Sequence, residues 1–138
     1  MQRTMTKKIS EWNGYPVHGD VKELDRIIES DHFINLDQDD IINVFSAEGN
    51  NYVAFAINAN LGDAFNAAIN SLPCKLDKVN SLLFDFFCGN KKPEMSELSC
   101  IPATLSEANT NIDVKWGISS DETLGDSYKV VLVASVKA

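Results

Sequence analysis

Between residues 52 and 136 the hydrophobic period switches repeatedly from two to 3.6 and back. That switching restricts the fold more than any other feature of the chain. Tyr52-Val53-Ala54-Phe55-Ala56-Ile57 alternates large residues with alanines, the pattern of a strand that a helix can approach closely on its alanine side. Phe65, Ala68, Ile69 and Leu72 recur at i, i+3, i+4 and i+7, which predicts a helix over 61–72 stopped by Pro73. Ser81 to Cys88 returns to period two, with Leu82, Phe84, Phe86 and Cys88 on one face and Leu83, Asp85 and Phe87 on the other. Gly89-Asn90-Lys91-Lys92 is a turn, and Pro93 suits the first position of a helix predicted over 93–108. Pro102 should kink or split its stripe of Met95, Leu98, Ile101 and Leu105. Ile112, Val114, Trp116 and Ile118 alternate with Asp113, Lys115, Gly117 and Ser119 in a half-exposed strand over 111–119. Tyr128, Val130, Leu132, Ala134 and Val136 make the last strand, expected to form an antiparallel pair with its predecessor because the connection is short.

Upstream of this region the pattern is helical. Asp20 caps a helix over about 20–30, with Glu23 three residues on and Val21, Leu24, Ile27 and Ile28 on its apolar side. A second helix begins near Asp37, carries Ile41, Ile42, Val44 and Phe45, and stops before Gly49. Residues 1–19 show little periodicity and contain the turn signals Asn13-Gly14 and Tyr15-Pro16, so they are read as an irregular arm. The chain is therefore an arm over 1–19 and a single α+β domain over 20–138, two helices followed by β-α-β-α-β-β.

Composition excludes several functions. A chain of 138 residues, 44% hydrophobic and 23% charged, can bury a core without disulfides or a metal. A net charge of -8 argues against non-specific nucleic-acid binding, which needs clustered Lys and Arg. No run approaches the ~18 apolar residues of a membrane span, and no apolar leader opens the chain, so a cytoplasmic protein with reduced thiols is expected. Cys74, Cys88 and Cys100 are an odd number at long spacings, and His18 and His32 do not join them at ligand spacing, so no metal or cofactor is expected. Nor do the histidines suggest a Ser-His-Asp triad. Asp85, in an apolar strand, is read as half-exposed or as a paired buried carboxylate, and Trp12, Tyr15 and Trp116 as packing or interface aromatics.

The polar residues that stand out are Asn35, Asp37 and Asp40, in a short loop running into the second helix. Asp37 is placed to cap that helix, and Asp39 and Asp40 fall in its first turn, where negative charge meets the positive helix end. A cap is worth ~0.5–2 kcal/mol, reason enough for an Asp without any chemistry.

Asn35-Leu36-Asp37-Gln38-Asp39-Asp40 is also similar to the Asn-x-Asp-x-x-Asp synergy loop of the bacterial cell-division GTPase family FtsZ. Leu24 to Ile34 resembles the end of that family's central helix. Ala64 to Pro73 resembles a later helix, with Leu72 and Pro73 in reversed order. Ser81 to Gly89, Trp116 to Glu122 and Val130 to Ser135 resemble successive strands and loops, so the likeness spans residues 24–136. It implies the FtsZ/tubulin carboxy-terminal domain: a two-layer α/β sandwich with a mixed four-stranded sheet of order 1423 and the strand 111–119 on an edge. The family's Gly-Gly-Gly-x-Gly-x-Gly phosphate loop does not occur here, and no P-loop replaces it. The resemblance thus implies half of a GTPase site. Asn35, Asp37 and Asp40 would meet the nucleotide face of another subunit, with no catalytic residue and no cofactor of the chain's own. The expected partner is an FtsZ/tubulin-type GTPase or a second copy, with no nucleic acid and no membrane insertion. The alternative is a binding or oligomerisation module of unrelated role, using the edge strand 111–119 and the Trp-bearing arm.

Overall fold

The computed structural model describes residues 10–29, 31–34, 36–45, 50–73, 75–94, 96–98, 101, 105 and 112–136, with 31–34 described by backbone alone. Its elements in chain order are β1 (Ser10–Trp12), β2 (Tyr15–Gly19), α1 (Lys22–Glu29), β3 (Asp31–Ile34), α2 (Gln38–Val44), β4 (Asn50–Asn58), α3 (Leu61–Ser71), β5 (Ser81–Cys88), β6 (Asp113–Ser120) and β7 (Tyr128–Val136). The helix expected over 93–108 lies largely outside the described residues; Ile101 and Leu105 within it are helical and buried.

The four strands expected from the sequence form the middle of the sheet as β4-β7-β5-β6, the order 1423. β7 is antiparallel to both β4 and β5, and β5 runs parallel to β6, so β6 and β7 run in opposite directions with β5 between them and do not form the pair expected from their short connection. The sheet is nonetheless larger than the expected four strands. Among the described residues it has seven, in the order β1-β2-β4-β7-β5-β6-β3. Residues 10–12 and 15–19, expected to be an irregular arm, are a hairpin whose second strand pairs parallel with Asn51–Val53. Its turn takes Asn13 at φ 52° and Gly14 at φ 87°, the left-handed pair that Asn-Gly favours. Gly19 ends β2 at φ +111°, where a Cβ would lie 2.1 Å from the Val53 carbonyl oxygen, so only glycine lets the two backbones meet. At the other margin β3 pairs antiparallel with the last residues of β6, so among the described residues β6 is an edge over only part of its length.

Period two sends alternate residues of each central strand into two separate cores. Leu82, Phe84, Phe86, Val130, Leu132 and Ala134 face α3, whose Ala64, Phe65 and Ala68 meet Ala54 on β4. The alanines on both surfaces bring helix and sheet close, as the strand pattern predicts. Leu83, Phe87, Val131 and Val133 face the other way, against Leu24 and Ile27 of α1 and Ile41 and Val44 of α2. The two helices that precede the α/β sandwich therefore add a third layer. Each fully buried Leu or Ile on α1 contributes ~1.5–3 kcal/mol of burial. The hairpin completes this second core: the Trp12 and Tyr15 rings meet Phe45 at 5.8 and 5.5 Å.

Candidate functional site

The start of α2 is built by two aspartates acting on each other. The Asp37 backbone is extended, and its Oδ1 accepts the Asp40 N–H at 3.0 Å. Asp40 Oδ2 in turn accepts the Asp37 N–H at 2.9 Å, closing a reciprocal capping box. The other Asp40 oxygen pairs with Lys115 Nζ on β6, which ties the helix start to the strand. Burial pushes the Asp40 carboxyl up, but the hydrogen bonds from Lys115 and the Asp37 N–H outweigh it and hold the carboxyl below its ordinary 3.8. The hydrogen bond to Asp40 correspondingly raises the Lys115 ammonium.

Of the three residues singled out in the sequence, the structure joins Asp37 and Asp40; Asn35 lies outside the described residues. Asp40 is half-buried, while Asp37 and Asp39 are exposed. A cavity of about 200 Å³ beside them lies between α2 and the starts of β5 and β6, with Asp40, Asn43, Ser81, Asp113 and Lys115 on its walls. That is below the ~300–1,000 Å³ typical of small-molecule sites, which fits a surface better than a substrate pocket. Among the described residues no group of His, Cys, Asp and Glu could hold a metal ion. No helix among them is long and apolar enough to cross a membrane.

Because its side chain is already used within the box, Asp37→Ala is expected to cost ~0.5–2 kcal/mol, read from denaturant unfolding. As pH falls through the depressed Asp40 value, the stabilisation from the ionised Asp40 carboxylate is lost in wild type as well.

Asp85 is fully buried, and Ser119 Oγ donates to its Oδ2 at 2.6 Å, so it is the buried carboxylate rather than the half-exposed one. Burial pushes it up to about 7, only partly opposed by the Ser119 hydrogen bond. Cys88 is buried, its thiol is raised by burial, and Sγ lies 3.6 Å from the Ser119 carbonyl. Cys74 and Cys100 lie outside the described residues, as does the His32 side chain, and His18 stacks on Tyr52 with ring centroids 5.1 Å apart. Trp116 is 40% exposed, its ring 6.2 Å from Phe86. A buried charged pair, not legible in the sequence, joins α1 to the sheet. Glu23, expected to serve the cap at Asp20, instead turns to the sheet, where Lys129 Nζ lies 2.5 Å from its Oε1. The first turn of α1 is held by Asp20 Oδ1 accepting from the Lys22 N–H at 3.2 Å.

These features define an α+β domain with a mixed sheet of core order 1423 and an acidic, capped loop leading into α2. Its fold is that of FtsZ/tubulin-type proteins, and the chain resembles the carboxy-terminal domain of FtsZ. The structure of an FtsZ dimer from M. jannaschii superposes with a TM-score of 0.68 at 26% identity, covering 83% of this chain and 35% of that one. TubZ protofilaments of Bacillus thuringiensis serovar israelensis give a TM-score of 0.64 at 12% identity, over 80% of this chain and 32% of that one. CetZ1 from Haloferax volcanii gives 0.57 at 15% identity, over 72% and 33%. The last two show the fold alone. The chain spans about a third of the length of these proteins. No family model and no curated protein sequence matches it.

Proposed function

We propose that this chain is a non-catalytic interaction domain that docks on a subunit of an FtsZ- or tubulin-type polymer through the loop entering α2. The observation that carries this reading is the reciprocal Asp37–Asp40 box, which sets exposed Asp37 and Asp39 at a capped start of α2 that Asp40 anchors to β6. A capped helix start gives up little conformational freedom on binding. Its acidic face suits a basic partner surface, and the fold likeness to an FtsZ dimer and to TubZ protofilaments supports a polymer subunit as that partner. The sequence has no glycine-rich phosphate loop, so hydrolysis is assigned to the partner.

The test is co-sedimentation with a polymer-forming FtsZ-type GTPase, with GTP turnover followed in parallel. The chain should pellet with the polymer and change its turnover, and added salt should weaken both effects. Asp39→Lys leaves the Asp37–Asp40 box in place and should weaken binding by about tenfold or more. A chain that stays in the supernatant and leaves turnover unchanged sinks the reading.

A further inference from the structure

We propose that two copies of this chain pair through the free half of β6, antiparallel and centred on Val114, into a symmetric dimer with one continuous sheet. Three observations converge on this strip. Among the described residues β3 is the outer neighbour of β6, and it reaches only Ile118, Ser119 and Ser120. Residues 113–117 are therefore left on the margin. The Asp113 N–H donates inward to the Asn80 carbonyl at 3.0 Å, and strand alternation then turns the N–H and C=O of Val114 and Trp116 outward. Val114 and Trp116 are also two of the four exposed large hydrophobics among the described residues, 41% and 40% exposed.

Charge selects the occupant and the register. With outward-facing residues set opposite one another, an antiparallel self-pairing here centres on Val114 or on Lys115. Centring on Lys115 sets one ammonium against its copy. Centring on Val114 sets Asp113 of each copy opposite Lys115 of the other, giving two opposite-charge pairs on one face. On the other face Val114 meets its copy and each Trp116 meets an Ile112. The segment Ile112-Asp113-Val114-Lys115-Trp116 is thus complementary to itself, which an isologous two-fold contact requires. Lys115 already bonds Asp40, so its ammonium would lie between two carboxylates, one from each copy. The strip is short, which places the dimer among weak, concentration-dependent associations. This pairing stands independently of docking at α2.

Sedimentation velocity over a concentration series reaching about 1 mM tests the proposal. Wild type should show a monomer–dimer equilibrium. Val114→Pro removes only an outward N–H, a position where an edge strand tolerates proline, and should raise the dimer Kd at least about tenfold. Circular dichroism reports whether that variant stays folded; if it does not, Asp113→Lys, a change at an exposed side chain, decides instead. Asp113→Lys and Lys115→Asp should each abolish self-association by placing like charges opposite each other. An equimolar mixture of the two should dimerise again, because each supplies the sign that the other needs. A monomer across the whole range overturns the proposal, as does a dimer indifferent to Val114→Pro and to Asp113→Lys.

Discussion

Asp85→Asn is expected to flatten the pH dependence of stability between about pH 4 and pH 7 and to make the protein more stable than wild type above pH 7. Asp85 has no exposed surface and sits on β5 between Leu83 and Phe87, facing the second core. Burial pushes its carboxyl from 3.8 to about 7, against a Ser119 hydrogen bond that acts in the opposite direction. The folded state therefore holds this proton more tightly than the unfolded chain. The resulting stabilisation is fully present below 3.8 and is lost as pH rises through about 7. At about 1.4 kcal/mol per pKa unit, the shift corresponds to as much as ~4 kcal/mol. An asparagine keeps an oxygen for the Ser119 hydroxyl and has no charge to bury, so it escapes that loss. Urea unfolding of both proteins across this pH range is the measurement. Parallel stability curves for wild type and variant would show that Asp85 does not cause the dependence.

The second large effect is expected at Lys129. Its ammonium lies 2.5 Å from Glu23 Oε1 and over the Phe55 and Phe87 rings at 5.0 and 5.6 Å, and both charged residues are more than nine-tenths buried. Lys129→Met should cost ~3–5 kcal/mol, most of it from leaving the Glu23 carboxylate buried without its main counter-charge. Arg26 Nε, 3.7 Å from the other Glu23 oxygen and mostly exposed, recovers only a little of that. Combining Lys129→Met with Glu23→Leu should restore most of the loss, because an apolar pair in the same space has no charge to desolvate. Guanidinium melts of the two single variants and the double variant give the coupling directly. A double variant as unstable as Lys129→Met alone would locate the loss in packing instead of in the stranded charge.

Both effects arise at residues whose strand the sequence reveals but whose burial it conceals. Asp85 and Lys129 sit at polar positions in otherwise apolar strands, a pattern that equally describes a half-exposed strand. They are buried because β5 and β7 are central strands with helices over both faces. Glu23 shows the same ambiguity on a helix: three residues after Asp20 it fits a cap, and only the nearness of Lys129 turns it toward the sheet. The acids before α2 were more legible. A capping box closes within four residues, so Asp37 as the cap could be read from local order alone. The Asp40 bond to Lys115 could not, since 75 residues separate the two.

By itself the sequence determined the four core strands, the helices α1, α2 and α3, the cap at Asp37 and, through its likeness to FtsZ, the order in which the core strands lie. Each of these is written in a hydrophobic period, a stop residue or an ordered set of motifs that survives without knowledge of distant contacts. Only the tertiary structure decided that residues 10–12, 15–19 and 31–34 are strands, that the sheet has seven strands among the described residues instead of four, and that β3 meets β6 only at Ile118, Ser119 and Ser120. Segments of three to five residues are too short to carry a period of their own. Their structure comes from the N–H and C=O groups that a neighbouring edge offers them, and that edge exists only once the chain has folded.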